Sequence, residues 1–463
     1  MGNNGYSRGR STRSGRVAER VSGEHHSGSS GSGHRPPGNG ARVFVTMLGA
    51  AVLFVIVFTG WLFRGELGGL LRGATATPMQ TQDMLIPQTP TPEASATPTP
   101  TPTPVPTPEP TPTPTPQPTA QDITISAVGD LMAHQPQLDS AYDKASETYD
   151  FTENYKEITD ELSAADLTIG NLETTLSGEE KKYSGYPAFN TPDSVLDALK
   201  AAGFDLLTTS NNHSMDRGWA GAKRTLETLD AAGIPHTGTF ASKEDADKPL
   251  IVDVQGIKVA VLAYTYGSNR AIEKSFSIKT IDLSVVKADI GKARQQGAQI
   301  VIICPHWGAE KARVPSDKVQ SQAKAMLEYG ADAVIGSHPH VLQKIERMEV
   351  TREDGSSYNG LVAYSLGNFI SNQQFQYQDT GMILTVTFSR DPLTDAITVK
   401  NVTYEPTWVY LDDNKKYTVL PIGKTLDDQA LFDSLTAKAQ KRIRAAWQES
   451  IDLLGEEAAT PVR

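Results

Sequence analysis

The sequence predicts an α/β protein whose helices cover β-sheets, and three observations predict it. From residue 121 onward, β-branched runs alternate with stretches of helical period. Four of the helical stretches stop at a glycine, namely Gly203, Gly233, Gly297 and Gly330. Six strands each run straight into a short polar motif. In α/β sheets the carboxyl ends of parallel strands share one edge, where ligands bind, so distant motifs are expected to converge there.

The elements follow in order. A β-branched run at 123–128 ends at Gly129-Asp130, and 167–169 ends at Gly170-Asn171. After Pro192-Asp193 a helix places Val195, Leu196 and Leu199 on one face. The strand 204–209 leads into Ser210-Asn211-Asn212-His213, and the helix 217–232 precedes a short strand after Ile234-Pro235. A buried-type strand at 258–263 is followed by a helix at 285–296. The strand 300–304 then leads into Pro305-His306-Trp307-Gly308. The helix 317–329 precedes 333–335, which runs into Gly336-Ser337-His338-Pro339-His340. Likewise 361–364 runs into Ser365-Leu366-Gly367-Asn368. A strand near 382–388 and one helix over 429–454 complete the domain.

Three segments precede it. Residues 1–42 are rich in Gly, Ser and Arg and hold almost no aliphatic side chains, which reads as a disordered tail. Residues 43–63 carry no charge, and at about 1.5 Å per residue they span about 30 Å, the thickness of a bilayer core. Arg35 and Arg42 on their N-terminal side place the N-terminus in the cytoplasm. The expectation is a retained single-pass anchor in the cell membrane, with the main domain outside. Residues 64–120 are Thr/Pro-rich, and 15 of the chain's 29 prolines lie within 74–120. Proline removes the donor and fixes φ, so polyproline II is the available conformer and the segment reads as an extracellular stalk. The organisation expected is tail, anchor, stalk, a domain over 121–390 and a C-terminal strand and helix extension over 391–463.

The net charge of −11 is uneven: +5 on residues 1–42, −2 on 43–118, and so −14 on 119–463. An acidic main domain excludes a general nucleic-acid binder, which needs basic surface to displace counterions. A single cysteine, Cys304, excludes a disulfide framework and a Cys-based zinc cluster, and its apolar strand makes it core filler.

Histidine usage is more specific. Six of the nine His lie in the domain, and all but His236 stand in motifs that follow strands. Imidazole suits borderline divalent metals, and Asp, Glu and Asn supply harder oxygen donors. Asp130, Asn171, Glu173, Asn212, His213, His306, His338 and His340 form a mixed N/O set without thiolate. That set suits Mn, Zn or Fe, as one ion or two about 3.5–4 Å apart. His338 and His340, two apart in extended backbone, would point to one side, with Pro339 stiffening the turn. Glu173 fits as a ligand, a base or the partner of a cation. His213, Glu173 and Glu310 are the candidate catalytic residues. His134 and Asp216 fit supporting roles as well as direct ones. Arg217, Arg270, Lys311 and Arg313 fit either an anion clamp or a solvated surface.

At these residues a resemblance becomes specific. Gly129-Asp130-Leu131-Met132, Gly170-Asn171-Leu172-Glu173, Asn211-Asn212-His213-Ser214-Met215-Asp216, His306-Trp307-Gly308-Ala309-Glu310, Gly336-Ser337-His338-Pro339-His340 and Tyr364-Ser365-Leu366-Gly367-Asn368 occur in that order. Over roughly 122–390 the chain resembles the CapA family of poly-γ-glutamate capsule biosynthesis, which is related to calcineurin-like metallophosphoesterases. The resemblance implies a sandwich of two mixed β-sheets flanked by helices, and dinuclear-type metal chemistry. By motif it implies metal roles for Asp130, Asn212-His213, His306, His338 and His340. Two departures stand out. Met132 replaces the histidine of an Asp-x-His opening, and Asn171 and Glu173 stand where aspartates are usual, leaving one metal site weaker or absent.

Two functions are expected from this pattern. One is an extracellular, membrane-anchored hydrolase that uses metal-activated water on a phosphoester or an anionic envelope polymer. The other is an accessory, non-catalytic subunit that binds with poly-γ-glutamate synthase and exporter membrane subunits. No nucleic-acid partner is expected.

Overall fold

The computed structural model describes residues 119–463. The expected tail, the anchor at 43–63 and all but the end of the stalk lie outside the described residues. Among the described residues, no helix is long and apolar enough to cross a membrane.

Two mixed sheets dominate. The larger has nine strands and runs Tyr417–Pro421, Ile397–Leu411, Thr380–Arg390, Gln121–Leu131, Leu167–Leu172, Leu206–Thr208, His236–Thr237, with Asn368–Ile370 pairing alongside Gln121–Leu131 and Thr460–Pro461 alongside Ile397–Leu411. The smaller has six and runs Ile345–Thr351, Ser357–Ala363, Ala333–Ile335, Ile300–His306, Ile257–Thr265, Leu250–Val254. Each contains a parallel block: Gln121–Leu131 through His236–Thr237 in the first, and Ile257–Thr265 through Ser357–Ala363 in the second.

The sheets pack on each other because their strands are β-branched on the facing sides. Ile123, Ile125, Ile169 and Leu384 from one share a buried core with Val259, Val261, Ile300, Ile302 and Leu361 from the other. Strands buried on both faces read as continuous apolar runs, as 300–303 does. The outer face of the smaller sheet packs Val301, Ile303 and Val334 against Val286, Ile290, Ala323 and Leu327. Those four come from the helices Leu283–Gln295 and Asp317–Glu328. The outer face of the larger sheet packs on the helix Val195–Ala201 and nearby turns. The expected sandwich flanked by helices is therefore the observed architecture.

Helix limits follow local chemistry. Asp282 and Ser316 cap their helices by accepting from the backbone N–H of Ser284 and Val319. Gly233, at φ 68°, ends the helix Gly218–Ala232 in the left-handed conformation that glycine adopts without strain.

Two expectations need correction. The single helix over 429–454 is two, Gln429–Ser434 and Ala437–Leu454. Leu435 is extended, and the Thr436 side chain starts the second helix by accepting from Ala439 N–H. The closing histidine pair is not in extended backbone either: His338 and His340 have φ of 98° and 56°. The stretch after residue 390 adds Ile397–Leu411 and Tyr417–Pro421 to the larger sheet, and Cys304 packs partly buried against the shared core.

Candidate metal centre

The polar motifs meet where the carboxyl ends of the two parallel blocks come together. Asp130 and Asn171 are register partners at the ends of neighbouring strands, and Asn171 Nδ2 donates to Asp130 Oδ1 at 2.8 Å. Glu173 follows, its backbone N–H bonded to Leu131 O. From the smaller sheet, His306 ends its strand and bridges to Ser337, so the loop holding His338 and His340 starts beside it. The loop after Ser357–Ala363 returns Asn368 to Asp130, whose N–H donates to Gly367 O.

Side chains close the centre. His340 Nδ1 lies 2.9 Å from Asp130 Oδ2 and 3.1 Å from Asn368 Oδ1. His306 Nε2 lies 2.7 Å from Asn212 Oδ1, while its Nδ1 sits 2.9 Å from Ser337 Oγ. Glu173 Oε1 is 3.6 Å from His306 Nε2 and 3.8 Å from His340 Nε2, and it has no hydrogen-bond partner. His338 Nδ1 is likewise buried and unpartnered. Asp130 and Glu173 are fully buried, and the histidines nearly so.

Burial sets the charges. It pushes the Glu173 carboxyl well above the usual carboxylate range, and the neighbouring Asp130 charge adds to that. Burial also pushes the Asp130 carboxyl up, but the bond and charge of His340 outweigh it, leaving it below its ordinary value. Correspondingly, burial works against a charged His340, and Asp130 reverses this and raises it. His338 is pushed down to about 4, by burial and then by the His340 charge. His306 falls well below its ordinary value, by burial and by the three neighbouring histidines.

Such a cluster is costly without a cation, because unpartnered buried polar atoms lose their water and gain nothing. Glu173, His338 and His340 each place a ligand atom within 4.8 Å of the others, and so do Asp130, Glu173 and His306. Glu173 belongs to both groups. Imidazole and carboxyl groups, with orphaned oxygen and nitrogen atoms among them, fit a divalent cation, whose charge would favour the neutral imidazole and the ionised carboxylate.

The remaining expected residues fall around this cluster. Asn171 and Asn212 touch it through Asp130 and His306. His213 stands beside it, its Nδ1 held at 2.7 Å by Asp216 Oδ2 and its ring edge-on to Phe189 at 4.7 Å. Its Nε2 faces Asn269 Nδ2 at 3.5 Å. Glu310 is exposed on the loop after His306, outside the buried cluster, although its charge reaches Glu173 and His340. Met132 is buried and supplies no hard donor. His134 packs edge-on to Phe189, and burial lowers it to about 4. Arg217 is tied to Ser184 and Ala188, and Arg313 covers the Tyr377 ring. His236 bonds Ile234 O, on the edge strand of the larger sheet. Residue patterns gave no site role to Ser337 and Asn368, although both stand in the motifs quoted, and missed Asn269 and Tyr266. All four stand in or near segments that follow strands, so the rule that found the histidines applied to them too.

Residues 124–373 match the family model described as bacterial capsule synthesis protein PGA_cap. The capsule biosynthesis protein CapA of Bacillus anthracis is 29% identical over 266 residues, covering 55% of this chain and 61% of that protein. The PGA biosynthesis protein CapA of Bacillus subtilis is 31% identical over 262 residues, covering 54% and 64%. The chain thus spans less than two thirds of the length of these relatives. Among solved structures, the calcineurin-like phosphoesterase YfkN of Bacillus subtilis aligns at 14% identity over 72% of this chain and 99% of that one, with a TM-score of 0.38. The NAD nucleotidase of Haemophilus influenzae aligns at 14% identity over 73% and 69%, with a TM-score of 0.40. Likenesses that distant transfer no residue's role. The family match covers more than half of the sequence and contains all the residues of the buried cluster, and the chain belongs to the bacterial capsule synthesis protein family PGA_cap.

Proposed function

We propose that this chain is a membrane-anchored, extracellular protein of capsule or envelope-polymer synthesis whose domain is a metal-dependent hydrolase of the phosphoesterase type. The observation that carries the reading is the buried Glu173 carboxylate oxygen without a partner, ringed by His306 and His340. Asp130, Glu173, His306, His338 and His340 would hold the cation, with Asn171 and Asn212 orienting them. When bound, a divalent cation supplies a Lewis acid that activates water and stabilises developing oxygen charge.

The chain's own residues supply the rest. Asp216 Oδ2 accepts from His213 Nδ1 and also from Phe189 N–H, which fixes the imidazole and leaves Nε2 to take or give a proton. Asn368 and Asp130 grip the inner nitrogen of His340, so its outer nitrogen is aimed at Glu173. Burial excludes bulk water from all of them, which strengthens each polar interaction.

The test uses the full-length chain: metal content by mass spectrometry, then phosphomonoester and phosphodiester hydrolysis with Mn²⁺. Wild type is expected to hold metal and turn over, with His338→Ala/His340→Ala falling to background. Metal-free wild type without turnover under Mn²⁺ overturns the reading. The Met132 position favours one alternative, an accessory subunit that binds through the same centre. Bound metal without turnover, together with loss of surface polymer in cells carrying only the double variant, selects it.

A further inference from the structure

The buried cluster can grip only the reacting end of a molecule, so the body of any substrate has to rest beside it. A cavity of about 350 Å³ adjoins the centre, bordered by Tyr266, Trp307, Ala309, Val314, Lys318 and Gln343. Two of its walls continue the metal-centre loops. Trp307 to Ala309 directly follow His306, and Gln343 follows His340.

Tyr266 is the shared partition. Its backbone N–H donates to His306 O at 2.9 Å. Its ring lies 4.6 Å from that of His338 and nearly parallel to that of His306 at 6.4 Å. One side of the ring is therefore committed to the centre, and the residue remains 49% exposed. Val314, 75% exposed, borders the same cavity, so two large apolar side chains left in water lie together here. The size falls at the lower end of small-molecule sites. Lys318, exposed, is the one charged residue of this wall among the described residues.

We propose that this cavity is the specificity pocket for the body of the substrate. It takes a flat apolar group about the size of a substituted six-membered ring, with an anionic substituent such as a carboxylate on Lys318. The phosphoryl end then lies over the metal centre. Tyr266 and Val314 sandwich the ring by apolar burial and stacking. In a domain of net charge −14, an anionic substituent needs a local cation, and Lys318 provides it. The proposal rests on the hydrolase reading for its substrate class, and its test is independent of turnover.

Calorimetry on the full-length Mn²⁺-loaded chain compares methylphosphonate, phenylphosphonate and 4-carboxyphenylphosphonate. Phenylphosphonate is expected to bind about tenfold more tightly than methylphosphonate, with a further gain from the carboxylate. Val314→Asp, which replaces none of the proposed metal residues, erases the aryl preference, while methylphosphonate, too small to reach Val314, still binds. Lys318→Ala removes only the gain from the carboxylate. Equal affinity for aryl and methyl phosphonates in wild type, or an aryl preference that survives Val314→Asp, overturns the pocket. A chain with the expected preferences that hydrolyses none of the matching phosphate esters supports the pocket and sinks the hydrolase reading alone.

Discussion

Replacing Glu405 by Gln isolates one buried carboxyl whose cost to the fold depends on pH. Glu405 is 6% exposed in the strand Ile397–Leu411, and its Oε1 accepts from Gly423 N–H at 2.8 Å in the first turn of the helix Ile422–Asp427. Burial pushes it from its ordinary 4.5 up to about 8, against the smaller downward pull of the Gly423 bond. The folded chain therefore holds a proton that the unfolded chain releases above pH 4.5. Stability from this group is fully present below 4.5, falls as pH rises towards 8, and is flat above it. At about 1.4 kcal/mol per pH unit, the loss is about 3 kcal/mol at pH 7 and about 5 kcal/mol at pH 9. Gln keeps the carbonyl that accepts from Gly423 and never ionises. Urea unfolding followed by tryptophan fluorescence should find the two chains within about 1 kcal/mol at pH 5. At pH 9 the variant should be more stable by about 5 kcal/mol. Since every other group is common to both chains, a difference that stays constant from pH 5 to 9 refutes the reasoning.

Two further substitutions test the centre. Asn368→Ala removes the oxygen 3.1 Å from His340 Nδ1 while leaving every proposed ligand in place. Mn²⁺ affinity by calorimetry should fall about 10- to 100-fold, and unchanged affinity would deny that Asn368 positions His340. Gly129→Ala places a Cβ 1.9 Å from the Gly367 carbonyl oxygen, backbone against backbone. The two chain segments must separate, so thermal unfolding should show a loss of about 3 kcal/mol or more. Metal affinity should fall with it, because the same contact seats Asn368 beside Asp130.

The convergence of the motifs was legible because strand ends are legible. Asp130 pairs with Asn171 and His306 with Ser337 through the backbone itself, so once the strands are parallel their terminal residues cannot avoid one another. What stayed hidden depended on partners distant in sequence. A strand was expected within 391–463, but Pro406, which cannot donate to a ladder, gives no sign that one strand runs through 397–411. The strand tolerates it because the partners on that side are two separate pieces. Thr460–Pro461 pairs with residues 403–404, Tyr417–Pro421 pairs with 407–411, and Pro406 falls in the gap. The break at Leu435 was hidden for the opposite reason. Neither glycine nor proline marks it, only Thr436, whose capping role shows when its side chain accepts from Ala439. Asn368 and Tyr266 escaped because each acts through another side chain, Asn368 on His340 Nδ1 and Tyr266 on the His338 ring. Their importance lies in what they press against.

The left-handed backbone at His338 and His340 changes how the centre should be understood. An extended His-x-His would converge by pleat geometry alone, whereas positive φ in histidine is strained and persists only where its surroundings over-determine it. The surroundings are the other motifs. Ser337 O accepts from Trp307 N–H, Pro339 O accepts from Lys311 N–H at 2.7 Å, and Gln343 N–H donates to Ser365 O. Asp130 and Asn368 hold the His340 ring from the larger sheet. The loop's conformation is therefore set jointly by segments from both sheets. Loosening any of those segments releases strain as well as removing a contact. The pair is thus not a free-standing motif that would bind a cation wherever it were placed. Its donor geometry is a property of two sheets meeting at their carboxyl ends, and this is why substitutions in separate motifs should be non-additive in metal affinity.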